Sequence, residues 1–161
     1  MKKRIAIFPG TFDPFTLGHQ HVVERALPLF DKLIIGIGCN TQKQTCYSPE
    51  ERLEQITMLY ADNPAVEVQI YNTLTVDFAQ SVGAHYILRS MRTIADFDYE
   101  RAIAEANRQL TGIETVVLFA DVATGHISSS LVRELRAFGK DISDYLPTQK
   151  SQQLSGDDNG N

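Results

Sequence analysis

The chain has no tryptophan and only two cysteines, Cys39 and Cys46, among 161 residues. Two thiols with no His or Cys spaced to complete a tetrahedral set exclude a zinc module and read as free thiols. Long apolar runs are missing too: nothing approaches the roughly 18 apolar residues that a membrane helix takes, so no membrane partner is expected. There is no excess of positive charge either. Lys and Arg total 15 against 20 Asp and Glu, a formal −5, which argues against a dedicated nucleic-acid binder and leaves any anionic substrate to a local basic pocket. The opening Met1-Lys2-Lys3-Arg4 is basic, but Pro9-Gly10 ends the apolar run after four residues. No export signal is therefore read, and the cytoplasm is the expected compartment. Internal repeats are also lacking.

What is present suits a globular protein: 43% hydrophobic and 22% charged residues lie far from the signature of disorder, so the chain is expected to fold unaided. Its length gives room for one core and would cramp two. One domain is expected over residues 1–147, followed by a polar tail, 148–161, expected to be disordered.

Apolar, β-branched runs at 3–8, 32–38, 66–71, 86–88 and 115–119 predict five buried strands. Between them, helical spacing predicts helices over about 19–30, with Pro28 weakening the last turn, 49–60, 76–82, 96–110 and 128–138, with one further turn at 144–146. Ser48-Pro49-Glu50-Glu51 supplies an N-cap, a first-turn proline and a capping-box glutamate, and Gly139 supplies a C-terminal stop. Strands alternating with helices imply an α/β fold with a doubly wound, Rossmann-like, five-stranded parallel sheet and ligands beyond the carboxyl ends of its strands.

Three segments fall at such ends. Pro9-Gly10-Thr11-Phe12-Asp13-Pro14-Phe15-Thr16-Leu17-Gly18-His19 joins the first strand to a helix start. Gly10 and Gly18 let backbone approach a ligand, while unpaired amides and the helix dipole attract phosphate. His19, in the first helical turn, is favoured as neutral imidazole and can still donate one N–H to a phosphate oxygen. Ile127-Ser128-Ser129-Ser130 opens another helix: one serine would serve as cap, and three offer spare donors for β- and γ-phosphates. Arg89 and Arg92, three apart after the fourth strand, can converge on one polyphosphate, although their spacing alone fits solvated surface arginines as well. His21, His85 and His126 belong to no such constellation and read as structural.

The Gly10-Thr11-Phe12-Asp13-Pro14 and Thr16-Leu17-Gly18-His19 segments, followed in order by Ile127-Ser128-Ser129-Ser130-Leu131-Val132-Arg133, resemble the two signatures of the nucleotidyltransferase superfamily. Arg89-Ser90-Met91-Arg92 with Asp96-Phe97-Asp98-Tyr99-Glu100 is similar to the corresponding stretch of the phosphopantetheine adenylyltransferases, except that Ser90 stands where that family usually has glycine. The 120–126 loop also lacks that family's usual Pro-Ser pair and aromatic. The resemblance covers about residues 1–146 and implies a nucleotidyltransferase fold.

The implied reaction is adenylyl transfer from ATP to 4'-phosphopantetheine, giving dephospho-coenzyme A and pyrophosphate. Magnesium would be bound through the ATP phosphates, and the chain would form a homo-oligomer, a hexamer. His19, Lys43 and Arg92 are the implied catalytic residues. Thr11, Lys43, Thr73, Leu74, Thr75, Arg89 and Asn107, with Ile103 beside it, would meet the acceptor. Gly10, Thr11, Phe12, Gly18, His19, Arg92, Glu100, Ile127, Ser128, Ser129 and Ser130 would meet ATP, Glu100 by holding the loop arginines. Two other readings keep the same pocket: transfer from ATP or CTP to another acceptor such as nicotinate mononucleotide, and a non-catalytic ATP-binding module.

Overall fold

In β1 (Ile5–Gly10) and β2 (Lys32–Gly38) buried side chains occupy successive positions, so both faces of each strand must be covered. Alternation sorts them into two layers. Ala6, Phe8, Leu33, Ile35 and Ile37 pack with Val22, Val23, Ala26 and Ile56, from α1 (Leu17–Ala26) and α2 (Pro49–Leu59). Ile7 and Ile34 face the other way, onto Val76, Phe78 and Ala79 of α3 (Thr75–Ser81). Fully burying each such Leu, Ile or Phe contributes about 1.5–3 kcal/mol, so these two strands anchor the molecule.

The structure is a computed structural model and describes residues 2–40, 42 and 44–149. With β3 (Val66–Tyr71), β4 (Tyr86–Met91) and β5 (Glu114–Phe119), the strands form one parallel sheet in the order β3-β2-β1-β4-β5. The five strands and the α/β alternation are those expected from the sequence. β4 runs on to Met91, three residues past the predicted end, because it pairs with β5 as far as Met91↔Phe119. Arg89 therefore projects from a strand, where a loop had been expected. The predicted first helix ends at Ala26, and Leu27–Leu29 tightens into a 3-10 turn around Pro28. The remaining helices are α4 (Ala95–Thr111), closed by the left-handed Gly112, and α5 (Ser129–Ala137). No helix among the described residues is long and apolar enough to cross a membrane.

At its far end the described chain returns to α1. Gln20, buried in that helix, donates from its amide to the Thr148 carbonyl (2.9 Å) and accepts from the Thr148 N–H (3.0 Å). Residues 150–161 lie outside the described part.

The strand order reverses direction at β1, and ligands collect at such switch points. The register shows why a crevice opens there. β1 stays paired to β2 up to Gly10↔Ile37, whereas its pairing to β4 stops at Ile7↔Ile87. Beyond those residues the two strands part, and the loops that follow them line the gap.

Candidate active site

A cleft of about 390 Å³ fills that gap and draws its walls from three chain segments. Gly10, Thr11, Phe12, Gly18 and His19 line it from the β1–α1 connection, Arg89, Ser90, Arg92 and Glu100 from β4 and the start of α4, and Ile127 to Ser130 from the start of α5. The three sequence segments singled out by their chemistry thus meet in one place, with His19 and the serine run on the same cleft.

The β1–α1 connection is held by its own aromatic residues. Phe12 has a positive φ of 52° and a ring only 3% exposed, edge-on to His19 with centroids 5.0 Å apart and to Phe8 at 5.3 Å. A Cβ on Gly10 would lie 2.8 Å from that ring, so this glycine is required by Phe12 as well as by any ligand. Gly18 differs: a Cβ there would meet nothing closer than Thr16 Oγ1 at 3.5 Å, and the space it would take belongs to the cleft.

His19 is the third residue of α1 and closes a capping box. The Thr16 N–H donates to its Nδ1 (2.9 Å), and Thr16 Oγ1 accepts from the His19 N–H (3.4 Å). Since Nδ1 accepts, the proton of a neutral ring sits on Nε2. Burial, and then the facing Arg92 guanidinium, push the imidazole pKa down to about 4. At neutral pH the residue is an uncharged donor whose orientation is set by a main-chain hydrogen bond.

At α5 the three serines are used differently from one another. Ser128 is the N-cap, its hydroxyl accepting from the Leu131 N–H (3.1 Å). Ser129 donates its hydroxyl to the Pro14 carbonyl (2.8 Å), and Ser130 accepts from Arg133 (3.1 Å), whose other guanidinium nitrogen bonds the Asp13 carbonyl (2.8 Å). What α5 offers the cleft is chiefly the amides of Ser129 and Ser130, first-turn positions with no acceptor within the helix, at the positive end of its dipole.

The two arginines of β4 also divide their work. Arg89 makes a two-pronged pair with Glu100, at 2.8 and 2.6 Å, and reaches the Pro9 carbonyl across the parted strands (3.3 Å). Glu100 is 8% exposed and the only buried residue of α4. The pair fixes Arg89 in place and, through those hydrogen bonds, raises its pKa. Arg92 is exposed on the cleft, and among the described residues no carboxylate lies within salt-bridge distance of it.

A second cavity, about 600 Å³, adjoins the first and shares Pro9, Gly10, Thr11 and Arg89 with it. Thr73 and Thr75 line it, while Leu74 between them is 68% exposed and points elsewhere. Ile103 and Asn107, on α4, line neither cavity. Lys43 lies outside the described residues. Sequence reasoning passed over Asp13, Arg52, Thr124 and Arg133, all of them on these walls. Arg52 and Arg133 sit in amphipathic helices where a surface position is the ordinary reading, and only the tertiary contacts bring them inward.

The cytidylyltransferase-like family matches residues 7–135. The phosphopantetheine adenylyltransferase of Bacteroides thetaiotaomicron is 54% identical over 144 residues, 89% of this chain and 95% of that protein. Those of Porphyromonas gingivalis and Flavobacterium psychrophilum are 52% and 46% identical, over 91% and 89% of this chain and 96% and 95% of their own. Among solved structures, a bifunctional NMN adenylyltransferase/ADP ribose pyrophosphatase from Francisella tularensis superposes with a TM-score of 0.68 at 18% identity. That match covers 90% of this chain and 45% of the other, and at that identity the likeness is one of fold. With identity near half over almost the full length of the curated relatives, and with the signature residues gathered on one cleft, the chain belongs to the phosphopantetheine adenylyltransferase family.

Proposed function

We propose that the chain transfers the adenylyl group of ATP to 4'-phosphopantetheine, giving dephospho-coenzyme A and pyrophosphate, with ATP in the smaller cleft and the acceptor in the larger cavity. The observation that carries this assignment is the pairing of the two cavities through Gly10, Thr11 and Arg89, which suits a reaction between two phosphate groups that must meet at one point.

An oxygen of the acceptor phosphate is already anionic, so it attacks the α-phosphorus without a protein base, and the bond from that phosphorus to the β-phosphate oxygen breaks. Catalysis is then positioning and charge stabilisation. Thr11, Arg89 and Lys43 hold the acceptor phosphate. The Nε2–H of His19, together with Lys43, donates to the α-phosphate oxygens as charge builds there. Arg92 and the Ser129 and Ser130 amides receive the leaving pyrophosphate.

A divalent cation, magnesium in this proposal, fits such a site through the substrate. Among the described residues no three His, Cys, Asp or Glu side chains are grouped to hold a metal, so phosphate oxygens and water would be its ligands, and it would neutralise charge on the triphosphate. We place the enzyme in the cytoplasm as a homo-oligomer. α4 supports assembly: Tyr99, Ile103 and Leu110 are exposed along one side of it, an apolar face that a second copy would cover.

The assay is direct. Incubation with ATP, magnesium and phosphopantetheine should release pyrophosphate and yield dephospho-coenzyme A by mass spectrometry. Release with nicotinate mononucleotide, or with CTP as donor, and none with phosphopantetheine would overturn the proposal.

A further inference from the structure

Arg52 is the largest fully buried side chain of the described protein, 2% exposed, on the inward face of α2. A buried guanidinium normally faces a carboxylate. Arg52 has none within salt-bridge distance among the described residues. Its donors go to main-chain carbonyls: Thr11 at 2.5 Å, Tyr47 at 3.2 Å and Ser48 at 3.3 Å. The larger cavity takes one part of its wall from Thr11, on the β1–α1 connection, and another from Thr45, Pro49 and Arg52 itself. The fork therefore ties the two parts together.

A second tie runs in the reverse sense beside it. Asp13, also 2% exposed, accepts the N–H groups of Cys46 (2.8 Å) and Tyr47 (2.9 Å) on its carboxylate. Its own carbonyl takes a hydrogen bond from Arg133 of α5 (2.8 Å). The segment 45–48 is thus held to the β1–α1 loop by donors from one side and acceptors from the other, which fixes both the spacing and the sliding of one against the other. An apolar residue at position 52 would fill the same space in the core, so packing does not account for an arginine there.

We infer that Arg52 and Asp13 are positioning residues: together they set the width of the larger cavity, Arg52 chiefly on the acceptor side and Asp13 on the acceptor and nucleotide sides at once. The inference rests on the assignment of that cavity to the acceptor. It deepens that assignment by making acceptor affinity depend on a side chain whose bonded partners are all main chain of its own protein. Arg52 lines only the larger cavity, whereas Asp13 lines the smaller one.

The test uses the full chain with Arg52→Gln and Asp13→Asn, reading the Michaelis constants for acceptor and ATP separately. In Arg52→Gln, where one amide replaces the three-point fork, the ratio of acceptor KM to ATP KM should rise about 10-fold. In Asp13→Asn both constants should rise together. General loosening of the fold would raise both constants in Arg52→Gln as well, so an unchanged ratio there overturns the inference. Should Arg52→Gln not fold, Arg52→Lys takes its place, since it keeps the charge and loses the fork. The ratio should then rise about 3-fold, and a ratio at the wild-type value overturns the inference equally. A wild-type enzyme that turns over a different phosphate acceptor would displace the proposed substrate and leave this test intact, because the ratio is then read with that acceptor.

Discussion

Helices α1 and α2 begin in the same way and have different uses. In α2, Ser48 accepts from the Glu51 N–H (3.1 Å) and Glu51 accepts from the Ser48 N–H (2.7 Å), closing a capping box. In α1, Thr16 and His19 make the same two contacts, with an imidazole nitrogen where α2 has a carboxylate oxygen. A carboxylate in that position offers only acceptors, which suit a helix start and would repel a triphosphate. Imidazole needs one nitrogen for the cap and keeps an N–H on the other. The lesson is that a structural motif can orient a reactive group at no extra cost to the fold, provided that the group has a second, opposite function on its far side.

The largest effect expected comes from making α1 resemble α2. Glutamine is the other residue that closes a capping box, so His19→Gln should keep the cap and exchange the fixed ring N–H for a freely rotating amide N–H. Turnover should fall by about 10²-fold or more with a small change in KM for ATP, the pattern of a donor used in the transition state. His19→Ala should lose as much turnover and, in addition, about 1 kcal/mol of stability from the unmet cap. Near-normal turnover in both His19→Gln and His19→Ala would mean that His19 donates nothing to the reaction, and the comparison of the two helices would fail.

A smaller effect separates the helices by pH. The folded pKa of His19 is about 4, below its usual 6.5, so between those values the unfolded chain binds the proton and the folded one does not. Stability from this group is complete above pH 6.5 and is lost as pH falls toward and below 4, about 3 kcal/mol in all. Melting temperatures of wild type and His19→Gln, close together at pH 7, should therefore separate as pH drops to 4, the wild type falling below the variant, because only the wild type loses this contribution. Parallel curves would show that burial does not hold the imidazole neutral.

The same pair of helices shows how far the sequence could be read. Ser48-Pro49-Glu50-Glu51 fits the serine-to-glutamate capping pattern and marked the start of α2 to the residue. Thr16-Leu17-Gly18-His19 does not, because histidine is outside that pattern, so the helix was expected to begin two residues later than it does. The five strands were legible because their apolar runs are local. The extra length of β4 was not, since it depends on pairing with β5, about thirty residues away. For the site, the loop and helix-start residues could be read from their chemistry, and they meet on one cleft. What stayed hidden was the division of labour within each group. Whether Ser129 keeps its hydroxyl for a ligand or gives it to Pro14, and whether Arg52 faces solvent or the Thr11 carbonyl, is decided by contacts between residues 41 to 115 positions apart.

The smallest effect is the reciprocal one, at α2. Glu51→Ala removes only the returning half of the box, the bond to the Ser48 N–H, and leaves the Ser48 cap itself in place. The cost should be about 0.5–1 kcal/mol, seen as a shift of a few degrees in melting temperature for a domain of this size. Turnover should stay within about 3-fold of wild type, because nothing on α2's box faces the smaller cleft. A loss of turnover approaching that of His19→Gln would have to travel through Arg52, the next residue along the helix, and would appear in the acceptor KM before the ATP KM. Measuring both constants in Glu51→Ala therefore tells a capping residue from one that also holds the acceptor wall, and extends the contrast between the two helices from their first turns to the cavities they border.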